Sequence, residues 1–167
     1  MATRFEELIE LHHDEIFVHL WRLVGKQQRS DVTLEVEDLV QDVFMRAYVA
    51  FPRLRRDSNH RAWLYKIATN CAFTKLRRAK SRRAKMAILK ASTGMLDEAA
   101  SNETMGSHLQ AAVDKLPPKQ KACVTLRYFA DLDYSEIAAI VGSSEVSARA
   151  NVSQAIRQLR NAIEESR

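Results

Sequence analysis

DLDYSEIAAIVGSSEVSARANVSQAIRQLR, residues 131–160, is the stretch from which the rest of the chain is read. Ile137, Ala138, Ile140 and Val141 recur at helical spacing and predict a short amphipathic helix starting after Tyr134. Ser135 is its expected cap, and Glu136 places a negative charge where the helix dipole favours one. Gly142 stands where a helix takes a left-handed residue to stop. Ser144 then caps a second helix, with Glu145 in its first turn and its end near Glu165. At 1.5 Å per residue this helix is roughly 30 Å long. A short helix, a Gly-containing turn and a longer helix make the helix-turn-helix pattern, whose second helix enters the major groove of DNA. Arg149, Asn151, Ser153, Gln154 and Arg157 are placed on its outward side, and such side chains reach base edges and phosphates. The plainer alternative is a pair of packed helices in any small α-domain.

A length of 167 residues allows one domain or two small ones. Four Gly and three Pro are too few for a turn-dense β protein, so the expected fold class is all-α. No apolar run approaches the roughly 20 residues needed to span a bilayer, and no membrane insertion is expected. The charged, amphipathic start MATRFEELIELHHDE lacks a signal-peptide core, which points to the cytoplasm. Cys71 and Cys123 read as reduced core thiols. His12 and His13 are adjacent on a helix and do not face a common ion, so no metal site is expected. No Gly-rich phosphate loop, HExxH or CxxC spacing occurs, and neither a cofactor nor an enzyme activity is expected.

The net charge of +5 is unevenly spread. Residues 31–42 hold the five acids Asp31, Glu35, Glu37, Asp38 and Asp42 and no Lys or Arg. Residues 58–96 hold no acid, but carry Arg61, Lys66, Lys75, Arg77, Arg78, Lys80, Arg82, Arg83, Lys85 and Lys90. Charge separated in this way suggests two different partners, against the alternative of solvated helix faces.

In chain order, Phe5, Leu8, Ile9, Ile16, Leu20, Leu23 and Val24 predict a helix over 5–24, ended by Gly25. Residues 26–33 read as a loop. A second helix is expected from about Val36 to Phe51, with Leu39, Val40, Val43, Phe44, Ala47 and Tyr48 inward, stopped by Pro52. Its other face carries Asp38, Gln41, Asp42 and Arg46. A third helix, from Arg61 or Ala62 to about Arg83, buries Ile67, Ala68, Cys71 and Leu76. Lys66, Thr69, Asn70, Phe73 and Thr74 are expected on its exposed side, and Trp63 against the first two helices. Aromatics, an amide and a basic tail together suit single-stranded nucleic acid. Residues 84–107 lose periodicity and read as a linker with isolated helical turns. Pro117–Pro118 begins another helix, with Val124, Leu126, Tyr128 and Phe129 as core for the helix-turn-helix.

Three segments in order carry a family resemblance. Residues 37–48 (EDLVQDVFMRAY), 61–78 (RAWLYKIATNCAFTKLRR) and 116–144 (LPPKQKACVTLRYFADLDYSEIAAIVGSS) resemble a bacterial RNA polymerase sigma factor of the extracytoplasmic-function group. The resemblance implies a region 2-like domain over 1–83, a flexible linker over 84–108 and a region 4-like helix-turn-helix domain over 109–167. It also implies transcription initiation, with core RNA polymerase and promoter DNA as partners. Asp38, Gln41 and Asp42 correspond to the face that docks on a basic coiled-coil clamp of polymerase. The loop before Trp63 would hold a flipped base of the minus-ten element, with Tyr65, Lys66 and Asn70 by motif position. Asn70 offers a donor and an acceptor to a base edge. Arg61, Arg77, Arg78, Arg82 and Arg83 complete the minus-ten set. Arg149, Asn151, Ser153, Gln154 and Arg157 fall to the minus-thirty-five element. Family habit adds an anti-sigma factor, which no residue of the sequence specifies. Thr74 stands where the family usually has an acid, Asn151 and Gln154 where it favours Arg, and Ala148 where it has a bulkier apolar residue. The competing readings are an autonomous helix-turn-helix regulator and a protein-interaction adaptor without promoter recognition.

Overall fold

The computed structural model describes residues 4–25, 32–93 and 105–167. Among them the chain is all-helical, in seven α-helices. The first unit comprises α1 (Phe5–Val24), α2 (Val32–Ala50), a 3₁₀ turn (Phe51–Arg53) and α3 (His60–Thr93). The second comprises α4 (Met105–Asp114), α5 (Pro118–Tyr128), α6 (Tyr134–Val141) and α7 (Glu145–Glu165).

Apolar side chains at three- and four-residue spacing define the first unit. Phe5, Leu8, Ile16, Leu20 and Leu23 of α1 meet Val36, Leu39, Val40, Val43 and Ala47 of α2. Leu64, Ala68 and Ala72 of α3 close that core. Helix α2 begins one turn earlier than the expected Val36, because Val32 is buried four residues before it on the same stripe. The rest of the expected loop, residues 26–31, lies outside the described residues. Tyr48, expected inward, is 65% exposed and only leans its ring on Phe5.

Helix α3 also differs from expectation. It runs on past Arg83 to Thr93, so residues 84–93 are helical. Among the described residues little packs on this extension, and Met86 and Ile88 are exposed. Residues 77–91 consist of Ala, Lys, Arg, Met, Leu, one Ser and one Ile, and no Gly interrupts them before Gly94. Propensity therefore carries the helix where hydrophobic periodicity has ended. The remaining linker residues up to 104 lie outside the described residues, and 105–108 belong to α4.

In the second unit the stop and start signals act as read. Gly142 has φ 69°, and Ser144 Oγ accepts from the Ser147 amide at 3.1 Å. The α6 cap, however, is Asp133 and not Ser135. Asp133 Oδ1 accepts from the Glu136 amide at 2.8 Å, and Glu136 Oε2 accepts from the Asp133 amide at 3.1 Å. That reciprocal pair satisfies two helix-end donors at once. Ala122, Cys123 and Leu126 supply the α5 core, whereas Tyr128 and Phe129 are exposed. They meet Ile137, Ile140, Ala148 and Val152 in one core.

The two units touch. Helix α6 packs on α3 and α5 on α1. Asn59 Nδ2 donates to Glu136 Oε1 at 2.9 Å, and the Arg22 guanidinium lies 3.6 Å from the Phe129 ring centroid.

Candidate protein and nucleic-acid interfaces

The outer face of α2 forms the first surface. Asp38 and Gln41 are exposed, and Asp42 is half-exposed, with Oδ2 accepting from Arg46 Nε at 3.3 Å. Leu34, Met45 and Val49 lie beside them and are 64%, 70% and 76% exposed. Residues 34, 38, 41, 42, 45 and 49 fall on one side of a helix. Acidic and apolar groups thus alternate on a face whose apolar members stay exposed among the described residues. Sequence reading took the acids and missed the apolar members. The signal was present: Leu34, Met45 and Val49 are out of phase with the buried stripe.

The same acids border a cleft of about 260 Å³ between α2 and α3. Glu35, Asp38 and Asp42 line one wall, and Lys75, Arg78 and Arg82 the other. Lys75 Nζ stands 3.9 Å from Glu35 Oε2. The acidic and basic runs, separate in sequence, therefore face each other at close range. Cys71 also reaches this cleft, where burial pushes its thiol pKa up.

The second surface is the start of α3 and the loop before it. Lys66 and Asn70 are exposed, as are Arg77, Arg78, Arg82 and Arg83. Tyr65 does not join them: it is 3% exposed, and its hydroxyl donates to Glu15 Oε2 at 3.2 Å. Burial, and then the neighbouring Glu15 charge, push its pKa up to about 12. Arg61 is turned inward as well, with Nε 3.0 and 3.1 Å from the two Glu15 oxygens. Burial alone would raise the Glu15 pKa, but hydrogen bonds from Arg61, His12 and Tyr65 outweigh it and hold the carboxyl below its usual range. Thr69, expected outside, is fully buried with its hydroxyl 2.9 Å from His19 Nε2. Burial lowers the His19 pKa to about 3, so its ring is neutral near pH 7. Glu15, His19, Arg61, Tyr65 and Thr69 therefore clamp α3 to α1, which leaves Lys66 and Asn70 to face outward. Asn59 Oδ1 accepts from the Ala62 amide at 3.0 Å and sets where α3 begins.

The third surface is the outer side of α7. Arg149, Ser153, Gln154 and Arg157 are exposed, while Asn151 is partly buried. Gln154 Oε1 accepts from Gln120 Nε2 at 3.0 Å, which ties it back to α5. Arg149 is held from two sides. It pairs with Glu145 at 2.9 Å, and its guanidinium lies 4.4 Å from the Tyr134 ring centroid. Arg127 lies 4.5 Å from the same ring.

Known proteins match these parts in order. Residues 8–82 match the Sigma-70 region 2 family, and residues 108–159 match Sigma-70, region 4. The chain is 28% identical to the ECF RNA polymerase sigma factor SigE of Mycolicibacterium smegmatis, over 94% of this chain and 60% of that protein. It is 30% identical to the ECF RNA polymerase sigma-E factor of Escherichia coli, over 78% of this chain and 74% of that one. The fold resembles that of the sigma factor RpoE from Bartonella quintana, solved with the anti-sigma factor NepR. That match has a TM-score of 0.73 at 22% identity and covers 98% of each chain. No helix among the described residues is long and apolar enough to cross a membrane. On these matches the chain belongs to the ECF RNA polymerase sigma factors.

Proposed function

We propose that this chain docks on core RNA polymerase through α2, opens the minus-ten element along α3 and holds the minus-thirty-five element with α7, in the cytoplasm. One observation carries the reading. A single chain presents an acid-and-apolar helix face, an outward amide on a basic helix and a helix-turn-helix, in the order of the family's regions. An autonomous regulator would need only the last of these.

The proposed roles follow from chemistry. Asp38, Gln41 and Asp42 meet a basic clamp, and Leu34, Met45 and Val49 add apolar contact around them. Asn70 and Lys66 meet the opened strand, and Arg77, Arg78, Arg82 and Arg83 follow its phosphates. A buried Tyr65 and a Glu15-bound Arg61 position this segment and do not touch DNA. Arg149, Ser153 and Arg157 face duplex, with Asn151 and Gln154 in lesser roles because Asn151 is partly buried and Gln154 is bound to Gln120. We place the region 2-like domain at 1–83 and the region 4-like domain at 109–167, with α3 extending ten residues beyond the first boundary. An anti-sigma factor is the proposed regulatory partner, as NepR is for its relative.

The test is transcription by reconstituted holoenzyme on duplex and pre-melted bubble templates. Asn70→Ala is expected to lose about tenfold on duplex, the value of one good base-edge pair, and to recover on the bubble. Arg149→Ala is expected to weaken duplex capture, more so at high salt, and the bubble does not rescue it. Identical responses of both variants to the bubble would reject the assigned division between α3 and α7.

A further inference from the structure

Val146 is the second residue of α7 and 77% exposed. Among the described residues no large apolar side chain is more exposed. Among the described residues it joins no core, and Val is a poorer helix former than Ala, so neither packing nor propensity accounts for it there. Its position is informative. Val146, Ala150, Ser153 and Arg157 stand at i, i+4, i+7 and i+11, one exposed stripe along the helix assigned to duplex DNA. Val146 leads that stripe, and the N-terminal residues of such a helix are the ones that approach base edges. Helical side chains lean toward the N-terminus, which carries Val146 outward from the first turn.

The polar members of the surface are partly committed elsewhere. Arg149 is paired with Glu145 and stacked on Tyr134, Gln154 is bound to Gln120, and Asn151 is partly buried. The major groove offers one apolar recognition feature, the C5 methyl of thymine. Valine matches it, since its branched side chain is held in one rotamer on a helix and loses little freedom on contact. We infer that Val146 sets a thymine preference in the upstream duplex element by packing on that methyl group. The inference rests on the proposed minus-thirty-five role of α7.

The test uses holoenzyme reconstituted from the full chain and core polymerase, selecting from a duplex library randomised in the upstream element. Wild type is expected to enrich a thymine at one position, and Val146→Ala to relax that position alone. On the selected duplex, replacing this thymine by deoxyuridine is expected to weaken wild-type binding about fourfold, the worth of one buried methyl. Val146→Ala is expected to bind both duplexes equally. A variant that keeps the thymine preference and the deoxyuridine sensitivity would overturn the inference, as would a wild-type element without thymine. Loss of core polymerase affinity in Val146→Ala with base preference unchanged would place the contact on protein and overturn it too. Failure of wild-type holoenzyme to select any upstream element would instead overturn the minus-thirty-five role, and this inference with it.

Discussion

A chain carrying Asp38→Lys and Asp42→Lys together is expected to lose at least about a hundredfold in affinity for core polymerase, because like charges at an interface cost several kcal/mol. The fold should not suffer. Asp38 is exposed, and the Asp42–Arg46 pair lies at the surface, where solvent screening leaves an ion pair little weight in stability. Reversal also puts new cations beside Arg78 and Arg82 across the cleft, so Asp38→Asn with Asp42→Asn serves as the control. The neutral pair is expected to bind with intermediate affinity. Co-purification and titration of labelled protein measure the loss, and thermal unfolding checks the fold. Full binding by the folded double-Lys chain would remove α2 from the polymerase interface.

The second large effect is on stability. Leu64→Ala removes a fully buried side chain where α3 meets α1 and α2, and is expected to cost about 2–5 kcal/mol. Ile88→Ala, on the same helix, is expected to stay within about 0.5 kcal/mol, since Ile88 is 72% exposed. Urea unfolding should show a lower midpoint with an unchanged slope for the first variant only. Equal costs would mean that the far end of α3 is packed against something, contrary to its exposure.

Where local chemistry decides the structure, the sequence was readable. Gly142 and Ser144 punctuate the helix-turn-helix because each satisfies a requirement of the backbone at its own position. The Ser135 cap was misread for a local reason: Asp133 stands three residues before Glu136, and that spacing closes a reciprocal box. The inward turn of Tyr65 and Thr69 was not readable. Their partners, Glu15 and His19, lie 50 residues away, and no periodicity reports whether a polar group at a core position is satisfied. Helix α3 was cut short because an apolar stripe defined its end, whereas intrinsic propensity carries it onward. The Asn59–Glu136 bond, spanning 77 residues, could not be anticipated from either segment. Of the candidate site, the exposure of Asp38, Asn70 and Arg149 was legible from helical phase, while their roles stay part of the proposal. The apolar neighbours Leu34, Met45 and Val49 were legible in phase but overshadowed by charge.

As proposed, this chain confers promoter-specific initiation on core polymerase. Mapping of transcript 5′ ends, made by core polymerase with and without the purified chain on the same genomic fragments, tests it most directly. Discrete start sites are expected only when the chain is present, each downstream of the same pair of spaced elements. Tight binding to core polymerase with no discrete start sites would contradict it.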